Sequence, residues 1–237
     1  MVEHHKQLYI YHHLGLGDHI ICNGIVRNIY KYKTQNLSLF CKPKYCNSVQ
    51  YLYRDTNIKI IPKDDYDVVK FLSTINNLNK IFIGHHHLIN FINEGLSFDK
   101  AFYKQIGLNF KKRWSDFYVQ RDVNRENTLY EKINPNKEYI FLHEDKSRNL
   151  LINRNFIENK NIQIIEPDIK LTQNIFEYIK IIENAKEIHC IDSCFRLLVD
   201  SILKENTTTK LYYHLHLLNN NIKDTTFSQS RLNWNII

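Results

Sequence analysis

Hydrophobic and polar positions alternate along this chain in two styles. Short β-branched or aromatic runs read as strands, and longer stretches with helically spaced apolar residues read as helices. In the first half, strands are predicted over 7–12, 37–41, 58–61 and 80–83. Helices are predicted over 18–32, 43–53, 64–75 and 88–106, the last interrupted near Gly95. Pro43 suits the first turn of its helix, and Pro62 closes the third strand. A second set follows, with strands over 139–142, 162–165, 187–191 and 210–213 and helices near 151–158, 174–184 and 193–203. Strands alternating with helices imply parallel strands in layered α/β sheets. Between the sets, 122–137 is polar, contains Pro135 and reads as a linker with a short helix at 126–133. The predicted domains are therefore 1–125 and 136–216, followed by a tail, 217–237, expected to pack back on the first domain.

One stretch stands out: Tyr9-Ile10-Tyr11-His12-His13-Leu14-Gly15-Leu16-Gly17-Asp18-His19-Ile20. A strand that passes through glycines into a helix start leaves free N–H groups and the positive end of a dipole at one crevice. The pattern returns at Ile188-His189-Cys190-Ile191-Asp192-Ser193. Two such units point to two facing nucleotide-type domains with a ligand between them. Glycine is scarce, and three of the six copies lie between Gly15 and Gly24, so each is expected to have a positional reason.

Composition narrows the class. At 43% hydrophobic and 24% charged, the 237-residue chain reads as an ordinary soluble globular protein. A net charge of +7 suits a polyanionic partner or an anionic membrane surface, and equally suits plain solubility, because Lys and Arg are scattered. The clearest basic cluster is Lys111-Lys112-Arg113. No pattern of a nucleic-acid-binding module accompanies the charge, so nucleic acid is not an expected partner. Five cysteines without a CxxC pair read as reduced thiols. No secretory apolar region and no run of roughly 20 apolar residues is visible. The expected location is cytoplasmic, with room for peripheral contact at a membrane.

Polar residues gather at the carboxyl ends of the predicted strands, where open parallel sheets hold ligands. They are His12 and His13, His85 to His87, His143-Glu144-Asp145, Glu166, and Asp192-Ser193. Asp18 reads either as a helix-start acid that complements the dipole or as a carboxylate able to take a proton from a hydroxyl. Asp192-Ser193 reads as a helix cap or as a cap that also receives a diphosphate. Lys146 and Arg148 read as solvated loop residues or as counter-charge to that diphosphate. A dinucleotide fingerprint fails, because Ile20 stands where its third glycine belongs and the second strand ends in Cys41-Lys42 rather than an acid. No metal-ligand spacing is present, so neither a metal nor another cofactor is expected.

His13-Leu14-Gly15-Leu16-Gly17-Asp18-His19-Ile20 resembles the N-terminal motif of heptosyltransferase-like glycosyltransferases, family 9 and relatives. Ile188-His189-Cys190-Ile191-Asp192-Ser193-Cys194-Phe195, running into Leu197-Leu198-Val199-Asp200-Ser201-Ile202, resembles their donor motif. The segments Ser97 to Tyr103 and Arg113 to Val119 resemble parts of small glycosyltransferase-like proteins of this type. The resemblance implies a GT-B fold, two Rossmann-like α/β domains with parallel sheets facing a central cleft. It implies inverting, metal-independent transfer from a nucleotide-diphosphate sugar to a hydroxyl of a glycan or lipid-linked saccharide acceptor. Asp18 matches the base, with His12 or His13 aiding it. Gly15, Gly17, His143, Lys146, Arg148, Glu166, Asp192 and Ser193 fall on the donor side, and His85, His86 and Arg113 on the acceptor side. Cys194 and Phe195 replace the usual glycine after Ser193, and the usual proline-rich lysine loop is replaced by His143 to Arg148. The alternatives are a catalytically degenerate nucleotide- or glycan-binding protein of the same fold and a histidine-using phosphatase or nucleotide hydrolase.

Overall fold

The computed structural model describes residues 7–84, 94–157, 161–215 and 228–237. Contacts divide the chain into two units, Met1–Gln120 with Asp224–Gln229 and Arg121–Lys223 with Ser230–Ile237. Each is built on a parallel sheet, so the chain is a mixed α/β protein with Rossmann-like sheets of 4 and 5 strands.

In unit 1 the strands β1 (Leu8–Tyr11), β2 (Leu37–Cys41), β3 (Lys59–Pro62) and β4 (Lys80–Phe82) lie in the order β3-β2-β1-β4. All pairings are parallel, with Ile10 opposite Leu39 on one side and Ile81 on the other. Every residue of β2 is buried, which is why the run is apolar at every position but Ser38. Pro62 is tolerated because β3 is the edge strand. Among the described residues the helices are α1 (Leu16–Ile21), α2 (Asn23–Tyr32), α3 (Cys46–Leu52), α4 (Asp65–Ser73), α5 (Phe98–Gln105) and α6 (Lys112–Ser115).

The single helix expected over 18–32 is thus two, broken at Cys22. Two contacts fix α2 after the break. The Asn23 side chain accepts the Tyr118 N–H at 2.9 Å. Gly24 lets α6 come close, since a Cβ there would sit 2.3 Å from the Lys112 carbonyl oxygen. Pro43 opens a 3-10 turn, Pro43–Tyr45, ahead of α3. Of the helix expected over 88–106, α5 forms after Gly95, and 88–93 lie outside the described residues.

In unit 2 the strands β5 (Tyr139–His143), β6 (Gln163–Ile165), β7 (Glu187–Cys190), β8 (Lys210–Tyr213) and β9 (Asn235–Ile236) lie in the order β6-β5-β7-β8-β9, again all parallel. Its helices are α7 (Val123–Ile133), α8 (Ile179–Asn184) and α9 (Cys194–Ile202). Much of the expected linker is α7, which Asp122 caps by accepting the Arg125 N–H and which ends at Asn134 in the left-handed conformation. On one face of the sheet Phe141 packs on Tyr178 and Phe195. On the other, Ile140, Leu142 and Ile191 pack with Ile152 and Ile157.

The helix expected near 151–158 does not form among the described residues, which hold only a 3-10 turn, Arg154–Phe156. Asn153 takes the Asn155 N–H, and Glu144 takes the Ile152 N–H, so side chains satisfy groups a helix would have used. Ile152 and Ile157 are buried without it. The helix expected over 174–184 opens instead as a 3-10 turn, Ile175–Tyr178, capped by Asn174. The two-residue β9 was not predicted. It pairs with β8, and the Ile237 N–H donates to the Tyr213 carbonyl at 2.9 Å. Earlier in the tail, the Gln229 N–H donates to Asp99 of unit 1. Among the described residues no helix is long and apolar enough to cross a membrane.

Candidate functional site

Ligands of open parallel sheets sit beyond the carboxyl ends of the strands where the strand order reverses. In unit 1 that point lies between β1 and β4, and in unit 2 between β5 and β7.

At the unit 1 edge, β1 runs through His12 and His13 into Gly15, the N-cap of α1, which has no side-chain cap. Asp18 is therefore the third residue of the helix, within its first turn, rather than its first residue. Its carboxylate folds back over Gly15, where a Cβ would meet Asp18 Oδ2 at 2.6 Å. This holds a negative charge at the positive end of α1, and Gly17 lies in the same turn.

His13 stacks on Phe102 at 5.8 Å and lies against Gly84. Gly84 has φ +80, and a Cβ there would sit 2.9 Å from the His13 ring, so backbone and ring both require glycine. Burial lowers the His13 pKa, opposed in part by Asp65. Asp65 in turn accepts from the Tyr11 hydroxyl at 3.0 Å and pairs with Lys42 at 3.2 Å. Burial, and then Asp65, pushes the Tyr11 hydroxyl up to about 12. Burial works against the Asp65 charge, but the bonds from Lys42 and Tyr11 outweigh it and hold the carboxyl below its usual range.

Sequence reasoning missed Tyr11, Lys42 and Asp65. Each looked ordinary alone: a core aromatic, a strand-end lysine, a helix-start acid. All three sit at or just past the carboxyl end of a strand, and that position was the available signal.

Two expectations are corrected here. His12 is fully buried, with Nδ1 bonded to the His13 carbonyl and its ring 4.4 Å from that of His19. It packs inward, whereas the His13 ring lies against Phe102 and Gly84 and is only partly buried. Burial, and then His12, drives the His19 pKa well below the ordinary value. Arg113 is likewise a core residue. Its guanidinium pairs with buried Asp99 and donates to the Gln229 carbonyl at 2.7 Å, so it does not present itself to an acceptor. His85, His86 and His87 lie outside the described residues.

At the unit 2 edge, a cavity of about 710 Å³ opens beyond β5 and β6, lined among others by His143, Lys146, Glu166 and Asp168. His143 ends β5 with its ring 4.7 Å from Phe195, and burial lowers its pKa to about 4, leaving it neutral. Asp145 caps the 3-10 turn Lys146–Arg148 by accepting from the N–H groups of Ser147 and Arg148. Bonds from Ser147, then Arg148, bring its pKa to about 2 against the pull of burial.

The cations expected to be counter-charge are already paired. Lys146 reaches Glu166 at 2.7 Å, and Arg148 reaches Asp145 at 2.7 Å. Arg154, which sequence reasoning missed inside a predicted helix, bridges Glu144 and Glu166 at 2.9 Å each. Across the crevice, Ser193 caps α9 by accepting the Arg196 N–H at 3.4 Å, and Asp192 pairs with Arg196 at 3.3 Å. Asp192 is thus held at the helix start by the helix itself.

Among the described residues no group of three or more His, Cys, Asp or Glu side chains converges as metal ligands would. Fold and crevices define a class, α/β proteins with Rossmann-like parallel sheets and polar strand ends. No protein-family model matches the chain, and neither a curated protein nor a solved structure matches it.

Proposed function

We propose that this chain is an inverting, metal-independent glycosyltransferase of GT-B type, with unit 1 taking a glycan acceptor and unit 2 a nucleotide-diphosphate sugar. One observation carries the reading. Both units end a central parallel strand at a reversal of strand order and start a helix there, with Asp18 in the first turn of α1 and Ser193 as the cap of α9.

In this reading the Asp18 carboxylate takes the proton of an acceptor hydroxyl. The oxygen attacks the anomeric carbon, and the bond from that carbon to the diphosphate breaks. Charge developing on the diphosphate is met by N–H groups at the start of α9. Lys146 and Arg148 join by exchanging their carboxylate partners for phosphate oxygens. Glu166 and Asp168, on the cavity wall, accept from the hydroxyls of the nucleoside sugar. Neutral His13 offers the acceptor a hydrogen-bonding ring beside Phe102. The net charge of +7 is compatible with a lipid-linked saccharide presented at an anionic membrane surface.

A second reading has a specific observation behind it. The pairing of Lys146 with Glu166 and of Arg148 with Asp145 cancels the cations a diphosphate needs, which favours a non-catalytic binding protein of the same fold. A thermal-shift panel of UDP-, GDP-, ADP- and CMP-sugars, repeated on Asp18→Asn, separates the two. A donor that stabilises both proteins but is turned over only by the unsubstituted chain supports transfer. Stabilisation without turnover supports a nucleotide-sugar-binding protein, and a panel without any stabilising nucleotide-sugar overturns transfer and leaves only glycan binding for the second reading.

A further inference from the structure

We propose that unit 1 carries a saccharide-binding site on the edge opposite its crevice, in the cavity around the carboxyl-terminal end of α2. This site is independent of the transferase reading. The cavity measures about 520 Å³. Its walls come from the end of α2, from the segment leading into β3, and from α6. Tyr32 and Gln35 lie within the five residues before β2, and Thr56 lies three before β3, so the cavity lies toward the amino ends of the strands.

The lining has a distinctive chemistry. It includes no aliphatic side chain, phenylalanine or tryptophan. Small-molecule pockets are mostly lined by apolar groups, so this one does not suit a lipid or an apolar peptide. It includes two tyrosines, and Tyr32 is 68% exposed. The Tyr30 hydroxyl accepts the Asn57 N–H at 3.1 Å, which anchors that ring.

The charges on the walls are largely spent on one another. Arg27 gives Nη1 and Nη2 to Asp55 at 2.9 and 2.8 Å and donates to the carbonyls of Leu52 and Tyr118. Its guanidinium lies 5.5 and 5.0 Å from the rings of Tyr53 and Tyr118. Lys112 pairs with Asp116 at 2.8 Å. The walls keep one net positive charge, that of Lys31, whose Nζ sits 4.9 Å from the Tyr32 ring. The two carboxylates occupy Arg27 and Lys112, which leaves a polyphosphate Lys31 alone as counter-charge in the wall. A neutral polyhydroxylated ligand meets neither objection. Its hydroxyls find amides in Asn28 and Gln35 and acceptors in Asp55 and Asp116, and its C–H face finds the exposed ring of Tyr32.

The test is saturation-transfer NMR on the full chain with trisaccharides of glucose, galactose and N-acetylglucosamine, and with UDP as a phosphate-bearing control. The expected result is transfer to ring protons of at least one trisaccharide. Tyr32→Ala should weaken binding about tenfold or more and Tyr32→Phe should preserve it, because the ring rather than the hydroxyl is used. Gln35→Ala should weaken it as well, and Asp18→Asn should leave it unchanged. Tyr32 is exposed, so its variants are expected to keep the parent melting temperature. The proposal is overturned if no trisaccharide receives transfer, if Tyr32→Ala leaves binding intact, if Asp18→Asn abolishes it, or if UDP displaces the sugar.

Discussion

Asp99 and Arg113 form an ion pair whose side chains are 0% and 1% exposed, joining the start of α5 to α6. Asp99 also accepts the N–H groups of Lys100 and Gln229, and Arg113 donates to the Gln229 carbonyl. The segments around Ser97 and Arg113 are therefore held to each other by charge. Breaking such a pair leaves a buried charge without its counter-ion. Asp99→Ala is expected to cost about 3–5 kcal/mol in urea unfolding, and Asp99→Leu with Arg113→Met considerably less. Equal losses in the single and the double variant would mean that the pair is not what holds the segments.

Gly15 and Gly24 make a contrasting pair of alanine substitutions. At Gly24 the added Cβ meets backbone, 2.3 Å from the Lys112 carbonyl oxygen, and α6 has to retreat. Gly24→Ala is expected to lose about 1–3 kcal/mol of stability. At Gly15 the obstacle is the end of one side chain, Asp18 Oδ2 at 2.6 Å, which can swing away. Gly15→Ala is expected to keep its stability within about 0.5 kcal/mol yet displace the proposed base. If Asp18 acts as that base, Gly15→Ala lowers kcat in the direction of Asp18→Asn, for which a loss of about 10²–10⁴-fold is expected. A Gly15→Ala variant with unchanged turnover would remove Asp18 from the reaction.

Much of this architecture was legible because strand periodicity is local. The strand β2 was read to the residue and β8 likewise, since buried runs such as Leu37–Cys41 contrast sharply with their polar flanks. Helix ends and short strands were less legible, because side chains far away in sequence decide them. Just past the break at Cys22, α2 is in contact with Lys112 and Tyr118, and within 151–157, where a helix was expected, Glu144 takes the Ile152 N–H. β9 exists only because β8 offers it an edge. For the candidate residues, strand position correctly placed His13, His143 and Ser193 at or just past the ends of β1, β5 and β7. It could not tell the inward His12 from His13, nor foresee that Arg113, Lys146 and Arg148 would be taken by Asp99, Glu166 and Asp145.

Unit 2 is expected to lose stability as pH falls through mild acid. Burial lowers His143 to about 4 from 6.5, and burial with Arg154 nearby does the same to His189. His189 also shares a hydrogen bond with His214 at 3.0 Å, Nδ1 to Nε2. Between pH 6.5 and about 4 the unfolded chain binds more protons than the folded one, so stability rises with pH across that window. The contribution is complete above 6.5 and gone below about 4, on the order of 3 kcal/mol for each ring. A second loss follows from about pH 3.8 toward 2 as Asp145 protonates. Urea midpoints measured from pH 7 to 4 check this, and His143→Gln should flatten the slope by one ring's share. A flat profile would contradict the burial of both rings.

Arg154 supports a carboxylate that burial alone would not allow. The Glu144 side chain is 5% exposed, and bonds from Arg154 and the Ile152 N–H overcome the burial that opposes its charge. Lys146 stands farther off at 3.8 Å and reaches Glu166 at 2.7 Å. Arg154→Leu therefore leaves Glu144 with one N–H and a distant ammonium, and the carboxyl must either protonate or draw in water. A loss of about 2–4 kcal/mol is expected at pH 7, smaller at pH 4.5, where Glu144 can take a proton. Glu144→Gln in the same chain should restore part of that loss, since an amide can still accept the Ile152 N–H without carrying charge. A double-mutant cycle in urea measures the coupling, and a value near zero would mean that Arg154 serves Glu166 rather than Glu144.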